Sequence, residues 1–500
     1  MDFKGIALCL SGGGFRATLF HLGVLRRLYE TGLLGHIRVV SAVSGGAITA
    51  ALFQQNFDRD GDFDWDAFEA KLLRSTSRGV LHHFYFSIIL WISLIAFAGL
   101  NIHHSLSWAW LVTGSICLCS YIYLLRAVQK ANCKCREETN HWMNFFGTSE
   151  QVSWTRYSTL LLPMIPSEMR IATLINEIYE GNSTGLLNSN PIMCLSAIDL
   201  ISGKQKVFST GVFAELSEQG AKALWNNKAD DSVKEHGHLS LDTDEISFAA
   251  SYDSKLVPIA RAVAASTAIP PVFSQVPLFI GNKYVGSFVD GGVFDNLGVN
   301  PVVQLSYTFS SDQSDNVAKA PNSFDSFVSH ILIADAGGRK KRKVKSYFLR
   351  TNLLHRVVGI MLSHQEAESE RKKWLMEKLN GVSVCMFGLH VGYPSGAELS
   401  DEKWSRILPQ IRTHLDPFSD EESACLIYSG YTWAEYWYQN EIRGVLDEFP
   451  NEANEESCSG LSSMLPSFSA NPEDETALLE IVGRRGATDT LKRFAKSILP

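Results

Sequence analysis

The 500-residue chain is 45% hydrophobic and 20% charged, with 28 Phe and 11 Trp, a balance that supports a large buried core in one large or two ordinary domains. A formal net charge of -8 argues against a protein that grips nucleic acid along its surface, and no nucleic-acid partner is expected. The nine cysteines are scattered, and Cys133-Lys134-Cys135 has no partner pair at zinc-site spacing. Reduced surroundings and no metal or organic cofactor follow as expectations.

Residues 5–10 form a continuously apolar run of the kind that fits a strand buried on both faces. The run is too short for a signal peptide and flows directly into Ser11-Gly12-Gly13-Gly14-Phe15-Arg16, so none is expected. Residues 17–30 carry Leu19, Leu22, Val24, Leu25 and Leu28 at helical spacing and end before Gly32. Residues 37–40 are the next predicted strand, followed by Ser41-Ala42-Val43-Ser44-Gly45-Gly46 and a helix over 47–53.

A serine set between strand and helix among tiny residues is a nucleophile signal. The sharp turn exposes its hydroxyl, and the helix behind it directs amides and a positive end toward developing negative charge. The same pattern can also serve packing alone. Ser44 is the strongest candidate, because neither Ser11 nor Ser41 is followed by the same Gly-Gly and helix. The Gly12-Gly13-Gly14 loop could cradle a phosphate, but it lacks the lysine of an NTPase loop and does not make G-x-G-x-x-G. Its amides are better assigned to an oxyanion hole. Arg16 is a candidate for orienting substrate; the alternative is a helix-face arginine held by a carboxylate.

Residues 79–125 contain no Asp, Glu, Lys or Arg. Two apolar runs, 84–100 and 106–125, flank a short polar break, and each is about long enough to cross a bilayer as a helix. Lys71, Arg74 and Arg78 precede them, and Arg126, Lys130, Lys134 and Arg136 follow. The segment predicts a membrane hairpin with both ends, and hence the catalytic domain, on the cytoplasmic side. A helical pair in one leaflet with peripheral or monotopic attachment, or a buried helical pair, is the alternative.

The second half of the site comes much later. Residues 284–290 read as a short strand delivering Asp290 into Gly291-Gly292, where a carboxylate could take a proton from Ser44 directly. Asp295 and Asn296 read as residues that tie down the turn. A metal bound by Asp290 and Asp295 would need further ligands, and no histidine or third carboxylate clusters with them.

In this order the motifs resemble the patatin-like phospholipase family. Gly12-Gly13-Gly14-Phe15-Arg16 is similar to its oxyanion loop, Ala42-Val43-Ser44-Gly45-Gly46 to its nucleophile elbow, and Asp290-Gly291-Gly292 to its aspartate motif. Arg261-Ala262-Val263-Ala264-Ala265-Ser266-Thr267-Ala268-Ile269-Pro270-Pro271 resembles the helix and proline turn ahead of that aspartate. Ala42 stands where the usual G-x-S-x-G has its first glycine, which fits if its φ is negative. The resemblance covers residues 4–78 and 155–445. It implies a three-layer α/β fold around a central, mostly parallel sheet, a Ser44–Asp290 dyad, a Gly12, Gly13 and Gly14 oxyanion hole, and no cofactor. It also implies an acyl hydrolase acting on membrane phospholipid, most specifically of phospholipase A type; lysophospholipase, neutral-lipid lipase, general esterase and a catalytically silent interaction protein are the alternatives.

The expected organisation is therefore 1–78 as the first part of the catalytic domain and 79–136 as the hydrophobic insertion. The rest of the domain follows over 137–445, with a C-terminal extension over 446–500. A buried strand over 327–335 precedes Arg339, Lys340, Lys341, Arg342, Lys343 and Lys345, a basic run suited to anionic headgroups. Oligomer state is left open.

Overall fold

The computed structural model describes residues 3–57, 63–78, 191–201, 203–209, 250–253, 259–270, 275–280, 283–303, 305, 328–337, 382–389, 408–411, 413 and 418–443. The first strand, β1 (Ile6–Leu10), is apolar at every position because both of its faces are covered. Ile6, Leu8 and Leu10 pack into one core with Phe15, Phe20 and Phe53; Ala7 and Cys9 pack into a second with Val299, Val302 and Ile331. Alternate side chains of one strand thus enter two cores, as the period of two requires, and the domain has a layer on each face of its sheet.

After β1 come α1 (Gly14–Glu30), β2 (Ile37–Ala42), α2 (Gly45–Gln55) and α3 (Trp65–Arg78). There follow β3 (Ile192–Asp199), β4 (Lys204–Ser209), β5 (Ala250–Asp253), α4 (Ile259–Thr267), β6 (Val276–Ile280) and β7 (Lys283–Asp290). The described chain ends with β8 (His330–Asp335), β9 (Ser383–Gly388) and α5 (Asp420–Trp437). The main sheet order is β5-β4-β3-β2-β1-β8-β9, with β7 joined to β3 and β6 to β7. Strands β3, β2, β1, β8 and β9 are mutually parallel; β4 and β7 run antiparallel to β3, and β6 runs antiparallel to β7. The α/β fold is as expected, but the sheet is mixed. The reason is local: the turn over 200–203 is too short for a parallel crossover. It is closed by the Gly203 amide on the Asp199 carbonyl (2.8 Å) and the Ile201 amide on Asp199 Oδ1 (3.1 Å).

The expected multi-pass membrane placement is corrected. Among the described residues no helix is long and apolar enough to cross a membrane. The two longest, α1 with 17 residues and α5 with 18, carry charged side chains and pack against each other. The insertion over 79–136, where the hairpin is predicted, lies outside the described residues, so no described helix carries a transmembrane assignment. The basic run from Arg339 to Lys345 and the C-terminal extension over 446–500 lie outside them too.

The α1–α5 crossing is close because glycines meet backbone there. A Cβ added at Gly23 would overlap the Ile427 carbonyl, and one at Gly430 the Phe20 carbonyl. Beside this contact Arg27 pairs with Glu435 and with Glu30 (3.5 Å), and Tyr431 donates to Glu30 (2.7 Å). The Arg27 guanidinium also lies over the Tyr431 and Tyr438 rings. Gly23→Ala should force the helices apart and lower stability by about 1–3 kcal/mol. Gly35→Ala, where an added Cβ meets nothing within 4 Å, should leave the thermal midpoint nearly unchanged. Thermal unfolding of the two variants side by side checks this.

Candidate active site

Two strands approach each other head to head along one edge of β3. On that edge β2 pairs in parallel, ending with Ala42 opposite Leu195. Strand β4 occupies the other edge, so β7, which also pairs with β3, lies on the same side as β2. Running antiparallel, β7 ends with Asp290 opposite Ala197. Only Ser196 separates the two strand ends, a gap of about 7 Å at strand rise. Ser44, two residues past β2, and Asp290, the last residue of β7, are thereby delivered to one place.

The turn at Ser44 is strained. Among the described residues Ser44 is the one non-glycine with positive φ, at 52° with ψ −121°. Such a conformation costs about 1–3 kcal/mol and persists only where its surroundings enforce it. Here the enforcement is close packing on both sides. A Cβ on Gly45 would overlap the Gly14 carbonyl, and one on Gly46 the Leu10 carbonyl. Val43 donates to the Leu10 carbonyl (3.1 Å), and the Ser44 amide donates to Ser266 Oγ on α4 (3.1 Å). Ala42 is buried in β2 and is not among the positive-φ residues, so alanine fits where the family pattern has glycine.

The glycine loop lies directly beside the elbow. A Cβ on Gly12 would stand 3.3 Å from the Ser44 Cβ, and one on Gly45 3.0 Å from the Gly14 amide nitrogen. Gly13 (φ 143°) and Gly14 (φ 58°) hold backbone that glycine adopts freely. The N-termini of α1 and α2 therefore sit side by side, with their partial positive charge close to Ser44. The Gly12 amide is committed to the Asn296 carbonyl (2.8 Å), which joins this loop to the turn after Asp290. Ser11 Oγ accepts from the Ala336 amide (2.8 Å) and ties the loop to the end of β8.

Asp290 is 2% exposed. Its Oδ1 accepts from the Gly292 amide (2.7 Å), and its own amide donates to the Ala268 carbonyl (3.0 Å). Burial pushes its pKa up to about 6, while hydrogen bonding with Ser44 and with the Gly292 amide pulls the other way. By strict geometry Oδ2 has no hydrogen-bond partner. The hydrogen bond with Ser44 sets its hydroxyl against this carboxyl group. Asp295 does tie down the turn, its Oδ2 accepting from the Asn300 amide (2.7 Å).

Arg16 is not gathered into this constellation. It is 5% exposed, and its Nη1 donates to the carbonyls of Pro409 (3.2 Å) and Ile411 (2.9 Å). Both of these acceptors are main-chain carbonyls. His21 is buried and hydrogen-bonds the Ala334 carbonyl (3.1 Å); burial lowers its pKa to about 3, so the imidazole is neutral and donates from Nε2. Sequence reasoning misses the contributions of Ser266, Ala268 and the Asn296 carbonyl. Their signals are the small-residue stretch around Ser266 and the turn residue Asn296, neither of which says what it touches.

A strained serine and a buried carboxylate thus meet at the parallel strands' C-terminal edge. The chain belongs to the patatin-like phospholipase family, whose sequence profile matches residues 8–303. Membership carries the general lipid-hydrolase activity and the serine-hydrolase type of mechanism typical of that family. No curated protein matches the chain. Among solved structures, VipD from Legionella pneumophila aligns over 99% of this chain and 86% of its own at 12% identity. The TM-score of that alignment, 0.26, is too low to support any argument.

The raised pKa of Asp290 has a stability consequence. Between about pH 4 and pH 6 the folded carboxyl keeps a proton that the unfolded one has released, so stability falls as pH rises through this window. Above it the buried charge costs about 3 kcal/mol. Asp290→Asn, which retains an acceptor for Gly292, should unfold at a higher temperature than wild type at pH 7.5. The difference should vanish near pH 4, as thermal scans across pH will show.

Proposed function

We propose that the chain is a phospholipase A-type acyl hydrolase that releases fatty acid from glycerophospholipids, with Ser44 as nucleophile and Asp290 as general base. The observation that carries this reading is the convergence of β2 and β7 on one edge of β3, which brings a strained serine to a buried, unsaturated carboxylate.

Asp290 takes the hydroxyl proton as Ser44 Oγ attacks the acyl carbon. The carbonyl oxygen becomes an oxyanion, received by the amides of Gly13 and Gly14 and by the paired N-termini of α1 and α2. Gly12 contributes by leaving room beside Ser44, since its amide already donates to Asn296. Collapse of the intermediate breaks the ester C–O bond, and Asp290 returns the proton to the leaving lysophospholipid alcohol. Asp290 then deprotonates a water that attacks acyl-Ser44, releasing fatty acid and restoring the serine. Arg16, anchored to Pro409 and Ile411, holds the first turn of α1 in place. The basic residues Arg339 to Lys345 match anionic headgroups by charge.

Product analysis by mass spectrometry on mixed diacyl phospholipids and neutral lipids tests this. Wild type should yield fatty acid and lysophospholipid, and Ser44→Ala should be slower by roughly 10³-fold or more. Because the base must be ionised, kcat/KM should decline as pH falls through about 6. Hydrolysis by Ser44→Ala at the wild-type rate would remove Ser44 from the mechanism. Fatty acid released only from neutral lipids would retain the dyad and replace the substrate class.

A further inference from the structure

The last turn of α4 touches both halves of the proposed dyad. Ser266 Oγ accepts from the Ser44 amide (3.1 Å), and two residues on the Ala268 carbonyl accepts from the Asp290 amide (3.0 Å). Both residues are buried, Ser266 at 0% and Ala268 at 1% exposure. This turn is itself fixed. Thr267 Oγ1 donates back to the Val263 carbonyl (2.9 Å), and the Ile269 amide donates to the Thr267 carbonyl (2.9 Å). Small residues at Ala262, Ala264 and Ala265, all buried, let α4 approach β3 and β7.

From this geometry we propose that Ser266 is a positioning residue for the nucleophile, and that the Ser266–Ala268 turn sets the separation of Ser44 from Asp290. This rests on the dyad reading and deepens it. Ser44 is the N-cap of α2, so its amide has no acceptor within that helix, and the Ser266 hydroxyl oxygen supplies the one it needs. A side-chain acceptor at this point holds the backbone from which the nucleophile projects. A dyad has no imidazole between serine and carboxylate to absorb an error in spacing, so the proton must pass directly between the two. Misplacement by about 1 Å can cost 10²-fold in rate. The electrostatics agree: the hydrogen bond with Ser44 holds the Asp290 pKa below where burial alone would put it, so a displaced Ser44 leaves that pKa higher.

Threonine and valine have the same shape and differ in the hydroxyl. The test compares Ser266→Thr with Ser266→Val on a soluble short-chain p-nitrophenyl ester, with Ser44→Ala alongside and thermal midpoints recorded. Relative to the threonine variant, the valine variant should lose about 10- to 100-fold in kcat with little change in KM. Its acid limb should also move to higher pH, which a merely structural role would not produce. Equal kcat and equal acid limbs in the two variants would overturn the assignment, whatever their stabilities. Activity persisting in Ser44→Ala would instead sink the dyad reading on which the assignment rests.

Discussion

The pairing of β2 and β7 with the same edge of β3 is the constraint on which the rest of the site depends. A strand edge offers its hydrogen bonds in one line, and two strands that share it from opposite directions must stop where they meet. Leu195 and Ala197 are the last positions that each partner claims, and Ser196 is left between them. Whatever follows β2 and whatever ends β7 is then forced into contact above that residue. The close packing shows it: a Cβ on Gly291 would overlap the Ser196 carbonyl and come within 2.9 Å of Val43. The proximity of Ser44 and Asp290, 246 positions apart in the chain, is thus a property of sheet register before it is one of side chains.

Around this meeting point the protein holds two unfavourable states at once. Ser44 sits in a backbone conformation that side chains rarely adopt, and Asp290 is buried away from water with one oxygen unsatisfied. Neither would persist in a loosely packed loop. Both are offset by the two surrounding cores, by the α1–α5 contact at Gly23 and Gly430, and by backbone hydrogen bonds from the glycine loop, α4 and the end of β8. Stability elsewhere in the domain is what allows reactivity here. The fixed dipoles of α1 and α2 join the same balance, because their N-termini favour negative charge beside Ser44 at no further cost in reorganisation.

Much of this was legible in the residues. The apolar run over 5–10, the glycine loop, the serine before Gly45-Gly46 and the aspartate before Gly291-Gly292 each carry a local signature, because each needs backbone that few residue types can adopt. Those same signals place helices and strands to within a few residues: α1 begins at Gly14 where residue 17 is expected, and β2 continues to Ala42 where residue 40 is expected. The uncharged stretch over 79–125 lies outside the described residues: its hydropathy matches a membrane hairpin, while no described helix is long and apolar enough to cross a membrane.

The sequence by itself determined the fold class, the family and the residue types available for chemistry, since these depend on local backbone preference and hydrophobic period. Only the tertiary structure decided how those residues are used. Arg16 became an anchor for Pro409 and Ile411, Gly12 spent its amide on Asn296, and Ser266 emerged as the acceptor behind Ser44. None of these could be read from spacing, because each partner lies 222 or more residues away along the chain. Their meeting is fixed by strand order and register, which are set by packing the whole sheet at once.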